Sequence, residues 1–128
     1  MAAIGIQRKT SLGYEQALEK LPDLLKAEGF GVLTQIDVKE TLKAKLGVDF
    51  RKYKILGACN PSLAYQALSA VPEIGVMLPC NVTVQEAEGG ALVIAVDPMQ
   101  TIAAAMPGLA PIAAEVRARL ERVVGGLP

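Results

Sequence analysis

Apolar side chains between residues 14 and 28 recur every three or four positions, which is the spacing of one face of an α-helix. Gly29 follows this segment and suits the left-handed position that ends many helices, and Ser11 is a candidate cap at its start. Pro22 lies inside the pattern. Because proline lacks an N–H and clashes with the preceding turn, we expect a kink or a restart of the helix there.

Capping residues mark the starts of two further helices. Asp37 is followed three residues later by Glu40, the spacing of a capping box, and the helix that starts at Asp37 should end at Gly47. Asn60-Pro61 joins a capping residue to a proline at the first helical position, and Pro72 closes this helix. Each segment carries an apolar stripe, which predicts that one face packs on a core.

Strand patterns occupy the intervals between these helices. The predicted strands cover residues 3–9, 31–36, 52–58, 74–86 and 91–96. Pro79 interrupts the fourth of them in the manner of an edge position or a bulge. Glu88-Gly89-Gly90 then turns the chain, which predicts a hairpin between the fourth and fifth strands.

The last part of the chain has the pattern of two helices. Asp97-Pro98 again joins a capping residue to a proline, and residues 106–111 interrupt the helix that starts there. A final helix carries apolar residues at helical spacing from position 112 to 123 and ends at Gly125-Gly126. The predicted order of elements is therefore βα, βα, βα, ββ, αα.

Length and composition favour one folded domain over residues 1–128. Hydrophobic residues make up 52% of the chain and charged residues 20%, which is typical of a folded protein. Thirteen basic residues balance 13 acidic ones, so no net charge attracts nucleic acid. The chain has no histidine, which excludes a Ser-His-Asp triad, a Cys-His pair and histidine-ligated metal or haem; no pattern predicts a metal or a cofactor.

We expect a cytoplasmic protein that does not enter membranes. The first residues lack the uninterrupted apolar stretch of a secretory signal. Two uncharged runs, residues 55–72 and 98–114, approach the length of a membrane span, but prolines and amide side chains interrupt both. Two cysteines in such a chain indicate reduced thiols rather than a structural disulfide.

Two short segments share a Cys-Asn pair beside a proline, Cys59-Asn60-Pro61 and Pro79-Cys80-Asn81. Together with other motifs they make the chain resemble the proteins of domain of unknown function 302. The motifs are Glu28-Gly29-Phe30-Gly31-Val32, Asp37-Val38-Lys39, Ile55-Leu56-Gly57-Ala58-Cys59-Asn60-Pro61, Ala64 with Ala67-Leu68, and Gly75-Val76-Met77-Leu78-Pro79-Cys80-Asn81-Val82. The resemblance implies a two-layer α+β fold with a mainly antiparallel sheet packed against helices, similar to a single TATA-binding-protein-like repeat with extra helices. It also implies homodimers, and it implies no established activity.

Cys59 immediately precedes the cap of a predicted helix, where free N–H groups and the positive end of the helix dipole lie. Such a position lowers the pKa of a thiol below its usual value of about 8.5, which would make Cys59 a thiolate. Alternatively, Cys59 is a small buried apolar residue, and Asn60 serves only its helix. Cys80 has no helix start beside it, which favours a structural role.

Whether the two thiols act together depends on the direction of their strands. If a right-handed crossover makes the strands parallel, Cys59 lies opposite Cys80 and both Cys-Asn pairs share one pocket. If the strands are antiparallel, Cys59 lies near Ile74 and Cys80 near Tyr53, roughly 20 Å away, which prevents cooperation within one subunit. The resemblance and the greater frequency of antiparallel pairs favour the second arrangement.

Three interpretations of function follow. The first is a non-catalytic, homodimeric binding module for a small anionic ligand, with Cys59, Asn60, Cys80 and Asn81 as the site. The alternative is a thiol-dependent enzyme or redox sensor, with Cys59 as nucleophile and Cys80 as resolving thiol. The third is a structural subunit whose apolar region, residues 102–112, packs against a partner.

Overall fold

The computed structural model describes residues 3–128, so the first two positions of the predicted domain lie outside it. The strands are β1 (Ile6–Thr10), β2 (Gly31–Asp37), β3 (Tyr53–Cys59), β4 (Cys80–Ala87) and β5 (Gly90–Ala95). The α-helices are α1 (Tyr14–Ala27), α2 (Val38–Leu46), α3 (Pro61–Ala70) and α4 (Ala110–Gly125). Short 3₁₀ helices lie at Pro72–Met77, Pro98–Gln100 and Ile102–Ala105.

The five strands form one sheet in the order β1-β5-β4-β3-β2. Every neighbouring pair is antiparallel, including β3 with β4. Helices pack against this sheet, which gives an α+β fold. The predicted fold class is therefore confirmed, and so is the preference for an antiparallel pair between the strands that carry the two cysteines.

One face of the sheet forms the main hydrophobic core with α1 and α4. Val82 and Val84 alternate along β4 and are fully buried, in one cluster with Leu21 of α1 and Leu120 of α4. Burying a valine or leucine side chain contributes roughly 1.5–3 kcal/mol. This face consequently fixes α1 and α4 over the sheet, and α4 contacts β1 and β5.

Several turn and cap residues act as the sequence predicts. The Asp37 carboxylate accepts the N–H of Glu40 at 2.9 Å and caps α2. Gly47 has a left-handed backbone and ends this helix. Gly29 after α1 and Gly89 in the hairpin also have positive φ angles, +85° and +81°. These positions favour glycine because a Cβ atom makes that conformation costly.

Helix α1 differs from the expectation at two places. It continues from Tyr14 to Ala27 as one helix, so no restart occurs at Pro22. The side chain of Pro22 lies on the exposed side of α1, away from the core. The cap is Gly13 rather than Ser11, and its N–H donates to the side-chain oxygen of Gln16 at 2.9 Å.

The fourth predicted strand begins later than expected. Residues Pro72–Met77 form a 3₁₀ helix, and β4 starts at Cys80. A short apolar run does not by itself distinguish a buried strand from a buried helical turn. Here the 3₁₀ helix forms because it lets Ile74 pack with Ala67 and Leu109 in a second, smaller core.

The chain after β5 forms two 3₁₀ turns instead of the first of the two predicted α-helices. The Asp97 carboxylate accepts the N–H of Met99 at 2.9 Å, so the capping signature is used. The carbonyl of Pro98 then accepts both the N–H of Thr101 at 3.1 Å and its hydroxyl at 2.6 Å. These bonds end the 3₁₀ helix at Gln100, so no α-helix forms here, and α4 begins only at Ala110.

The two long uncharged runs are divided among several elements. The run over residues 55–72 comprises most of β3 and all of α3, and the run over 98–114 comprises two 3₁₀ helices and the start of α4. Within residues 3–128, no helix has both the length and the apolar character that a membrane span requires.

Candidate functional site

The end of β3 lies beside the start of β4. Ala58 pairs with Cys80 across these strands, so Cys59 and Cys80 are neighbours. The separation of roughly 20 Å expected for an antiparallel pair is therefore wrong. That expectation placed Ile74 in β4, whereas β4 begins at Cys80, and in an antiparallel pair the first residue of one strand meets the last residues of the other.

A cavity of about 320 Å³ lies against these strand ends. Cys59 and Cys80 both line it. Helix α3 contributes Ala64 to its wall, and α4 contributes Val116. The cavity reaches the surface near Leu33 of β2, whose side chain is 67% exposed. The two cysteines thus share a pocket that a small molecule can enter.

The wall of this cavity is almost entirely apolar. In the described part of the chain, no acidic or basic side chain lines it. The side-chain polar atoms come from Thr34, Asn60 and the two cysteines, and the other side chains are aliphatic, proline or phenylalanine. Transfer of an apolar ligand from water into such a site is favourable in proportion to the area that it buries.

Asn60 is buried at the start of α3, with both ends of its amide bonded. Its oxygen accepts the N–H of Leu63 at 3.2 Å, and its amide nitrogen donates to the Glu28 carbonyl at 3.3 Å. The backbone carbonyl of Asn60 accepts the N–H of Ala64 at 2.8 Å. Pro61 carries no N–H. The helix start thus directs most of its donors to the protein itself rather than into the cavity.

Asn81 lies apart from the other three predicted site residues. It follows Cys80 along β4, and successive side chains of a strand point to opposite faces. Its side chain is exposed, and the wall of the cavity does not include it. The structure therefore brings together Cys59, Asn60 and Cys80, and it places Asn81 on the other face of the sheet.

Gly57 has a packing role that its place in the motif does not reveal. A Cβ atom at this position would overlap the Thr34 hydroxyl and would lie 2.8 Å from the Pro79 ring. The missing side chain lets β2 and Pro79 approach β3 closely on this side. Because Thr34 and Pro79 both line the cavity, Gly57 helps to shape its mouth.

Burial raises the pKa of the Cys80 thiol to about 11, and the neighbouring Cys59 adds a smaller contribution in the same direction. At neutral pH, Cys80 is therefore an uncharged thiol. Both cysteines are free in the structure. A neutral sulfur in an apolar wall behaves as a polarizable apolar contact rather than as a nucleophile.

A second, wider groove of about 570 Å³ is lined mainly by charged side chains. Two ion pairs lie within it: Lys39 with Asp49 at 3.2 Å, and Lys52 with Glu15 at 2.6 Å. Exposed pairs of this kind contribute little stability. Asp37 is there as the cap of α2, and acidic and basic side chains face each other in the groove, so we do not assign a site to it.

Sequence patterns did not identify the large apolar residues of the cavity wall as part of a site. Phe30 precedes β2, Leu78 precedes β4, and Ile112 lies in α4. Each is apolar and gives no local sign of a site. Leu78 is two residues before Cys80, Phe30 comes close because its neighbour Gly31 pairs with Cys59, and Ile112 arrives through the packing of α4.

Comparison with known proteins places the chain in a family. The model of the domain of unknown function DUF302 matches residues 6–127. This chain is a DUF302 protein. A crystal structure of an uncharacterized conserved DUF302 protein from Bacillus stearothermophilus superposes on it with a TM-score of 0.91 at 32% sequence identity, over 99% of this chain and 100% of the other. The search of curated proteins found no match.

Membership of DUF302 confirms the resemblance seen in the motifs. The matched region contains β1 through α4. Neither comparison gives this DUF302 protein an activity or a ligand, so its function has to be inferred from the cavity.

Proposed function

We propose that this DUF302 protein is a binding module for a small, uncharged apolar molecule held in the cavity beside Cys59 and Cys80. The observation that carries the proposal is the cavity itself: about 320 Å³, open to the surface and without a charged side chain in its wall. Ligand pockets in proteins typically measure about 300–1,000 Å³ and are mostly apolar. The neutral thiol of Cys80 belongs to such a wall.

The contacts at the start of α3 favour this ligand over the small anion that the sequence suggests. The N–H groups of Leu63 and Ala64 are bonded within the protein. Transfer of an anion into an apolar cavity without a paired cation is strongly unfavourable. The helix dipole alone supplies roughly half a unit charge, and it is screened by solvent and salt.

The test is a titration of the ¹⁵N-labelled protein with n-hexanol, followed by NMR. We expect saturable shifts of the amide signals of Cys59, Ala64 and Cys80. Ala64→Leu fills this cavity and should weaken hexanol binding at least tenfold, whereas Ala114→Leu, an exposed position on α4, should leave it unchanged. Thermal unfolding of both variants checks that each is folded.

A parallel titration with inorganic phosphate separates the two classes of ligand. Saturable shifts with phosphate at the amides of Ser62, Leu63 and Ala64, together with none from hexanol, would overturn the proposal in favour of an anion site. Equal hexanol binding by the wild type and the Ala64→Leu variant would also overturn it, because the ligand would then lie elsewhere.

A second candidate function is thiol chemistry, and the observation that favours it is the presence of both cysteines on one cavity. In this alternative Cys59 is the nucleophile of a thiol-dependent enzyme or redox sensor, with Cys80 as resolving thiol. Iodoacetamide alkylation tests it, with mass spectrometry to identify the modified residue. If Cys59 reacts no faster than a free thiol between about pH 5 and about pH 9, this candidate fails.

We also propose that the protein is a homodimer, as the resemblance to its family implies. The support is the face of the sheet that points away from α1 and α4, where Ile36, Ile55 and Ile94 lie in one row across the strands. Ile36 is 50% exposed.

A further inference from the structure

We propose that the ligand is a molecule with a single linear aliphatic chain, which extends from the first cavity into a second one that shares part of its wall. This inference rests on the proposed function and specifies the shape of the ligand. The second cavity has a volume of about 80 Å³. Both cavities share part of their walls, and the shared residues are Ala67, Leu78, Cys80, Ile112 and Val116.

The two cavities share walls that come from α3, α4 and the start of β4. The first reaches the surface at Leu33, and the second is lined by Met77, which is 45% exposed. Cys80 lines both cavities, and its neutral thiol presents no barrier to an aliphatic chain. A chain that passes this side chain would therefore run from the larger cavity beside Cys59 into the smaller one lined by Met77.

The side chains that line the second cavity offer a ligand few hydrogen bonds. Its wall contains no charged side chain in the described part of the chain. The hydroxyl of Thr101 donates to the Pro98 carbonyl at 2.6 Å and accepts the N–H of Ala103 at 3.3 Å. A polar ligand would consequently lose its hydrogen bonds with water and find no replacement.

Size and shape select a chain over a ring system. A space of about 80 Å³ is far below the volume of typical ligand pockets, so it accommodates a few methylene groups and no fused ring. The flexible side chain of Met77 is well suited to close around the end of such a chain. Because neither wall supplies a cation, the polar head of the molecule remains in solvent at the Leu33 mouth.

The test is a series of n-alkanols from butanol to dodecanol, with affinities measured by calorimetry. Each buried methylene raises affinity by about fourfold. In the wild type, we expect this increase to continue beyond hexanol before it levels off. Ala103→Leu fills the second cavity only, so its affinities should stop rising at a shorter chain while hexanol binds as in the wild type. Ala114→Leu should match the wild type throughout.

If Ala103→Leu destabilises the protein too much for calorimetry, a direct measurement on the wild type tests the same inference. Nuclear Overhauser contacts from the terminal methyl group of decanol to the methyl groups of Met77 and Ala103 are expected in the wild type. If affinity levels off at hexanol and these contacts are absent, the chain inference is overturned and the first cavity alone remains the site. If no alkanol binds, the proposed function fails as well.

Discussion

At the scale of single residues, the Cys80 thiol links burial to pH. Its pKa is raised to about 11 in the folded protein, whereas an unfolded chain releases this proton near pH 8.5. A raised pKa contributes stability that is fully present below about pH 8.5 and is lost as pH rises toward 11. The same burial that makes Cys80 a good wall residue therefore makes it a poor thiolate.

We predict that the free energy of unfolding of the wild type falls by about 3 kcal/mol more between pH 8 and pH 11 than that of Cys80→Ala. Urea unfolding at both pH values measures the difference. Cys59→Ala is the control and should keep most of the fall, because burial is the larger cause of the shift and Cys59 the smaller. The same pH dependence in Cys80→Ala as in the wild type would contradict the assignment.

Asn60 provides a second prediction at this scale, on stability rather than ligand binding. Asn60→Ala removes the cap of α3 and leaves the buried N–H of Leu63 without its partner, which should cost about 1–2 kcal/mol. Asn60→Ser retains an oxygen that can accept this N–H and adds no charge, but it loses the donor to Glu28, so we expect a smaller loss. Urea midpoints of the two variants give the comparison, and a loss below about 0.5 kcal/mol for Asn60→Ala would refute the capping role.

At the scale of elements, the close approach of β2, β3 and Pro79 depends on Gly57. Gly57→Ala would force its new methyl group against Thr34 and Pro79, and overpacking of this kind should cost about 1–3 kcal/mol. Gly31→Ala is the matched control, since a Cβ there meets no atom within 4 Å, and it should change stability little. Thr34→Ala should restore part of the loss in Gly57→Ala. Equal effects of the two glycine substitutions in urea unfolding would disprove this packing.

The elements that the sequence predicts well are those whose ends are set by local hydrogen bonding. Asp37 and Gly47 bound α2, and Asn60 with Pro61 starts α3, because caps and proline act on neighbouring backbone groups. The prediction of a strand around Ile74 was wrong because the conformation of this segment depends on its packing with α3 and α4, which no local pattern encodes. Because of this error, the two cysteines were expected to lie far apart.

At the scale of the whole molecule, the candidate site is a product of topology. The motifs supply Cys59, Asn60 and Cys80, but the cavity also needs walls from β2, α3 and α4, which the fold brings to these residues. Ile112 and Val116 line this wall although both are more than 30 residues from Cys80 in the sequence. Neither residue type indicates a ligand. The sequence therefore identifies the two cysteines as candidate site residues, and the fold determines which side chains surround them.

The homodimer yields the last prediction. Ile55 lies at the centre of the row with Ile36, Thr83 and Ile94 on the face that α1 and α4 leave uncovered. This row contains no charge, so two copies can meet without burying an unpaired ion. We expect sedimentation equilibrium to give twice the chain mass of 13.4 kDa. Ile55→Lys should give a monomer because it buries a charge at this contact.

Ile102→Lys is the control for this experiment, since Ile102 is 62% exposed and lies in the apolar region after β5, away from the sheet face. It should remain dimeric. If Ile102→Lys dissociates and Ile55→Lys does not, the region over residues 102–112 forms the contact and the sheet face is refuted. A wild type that is monomeric at every concentration refutes the dimer itself, because mass action would otherwise favour association as concentration rises.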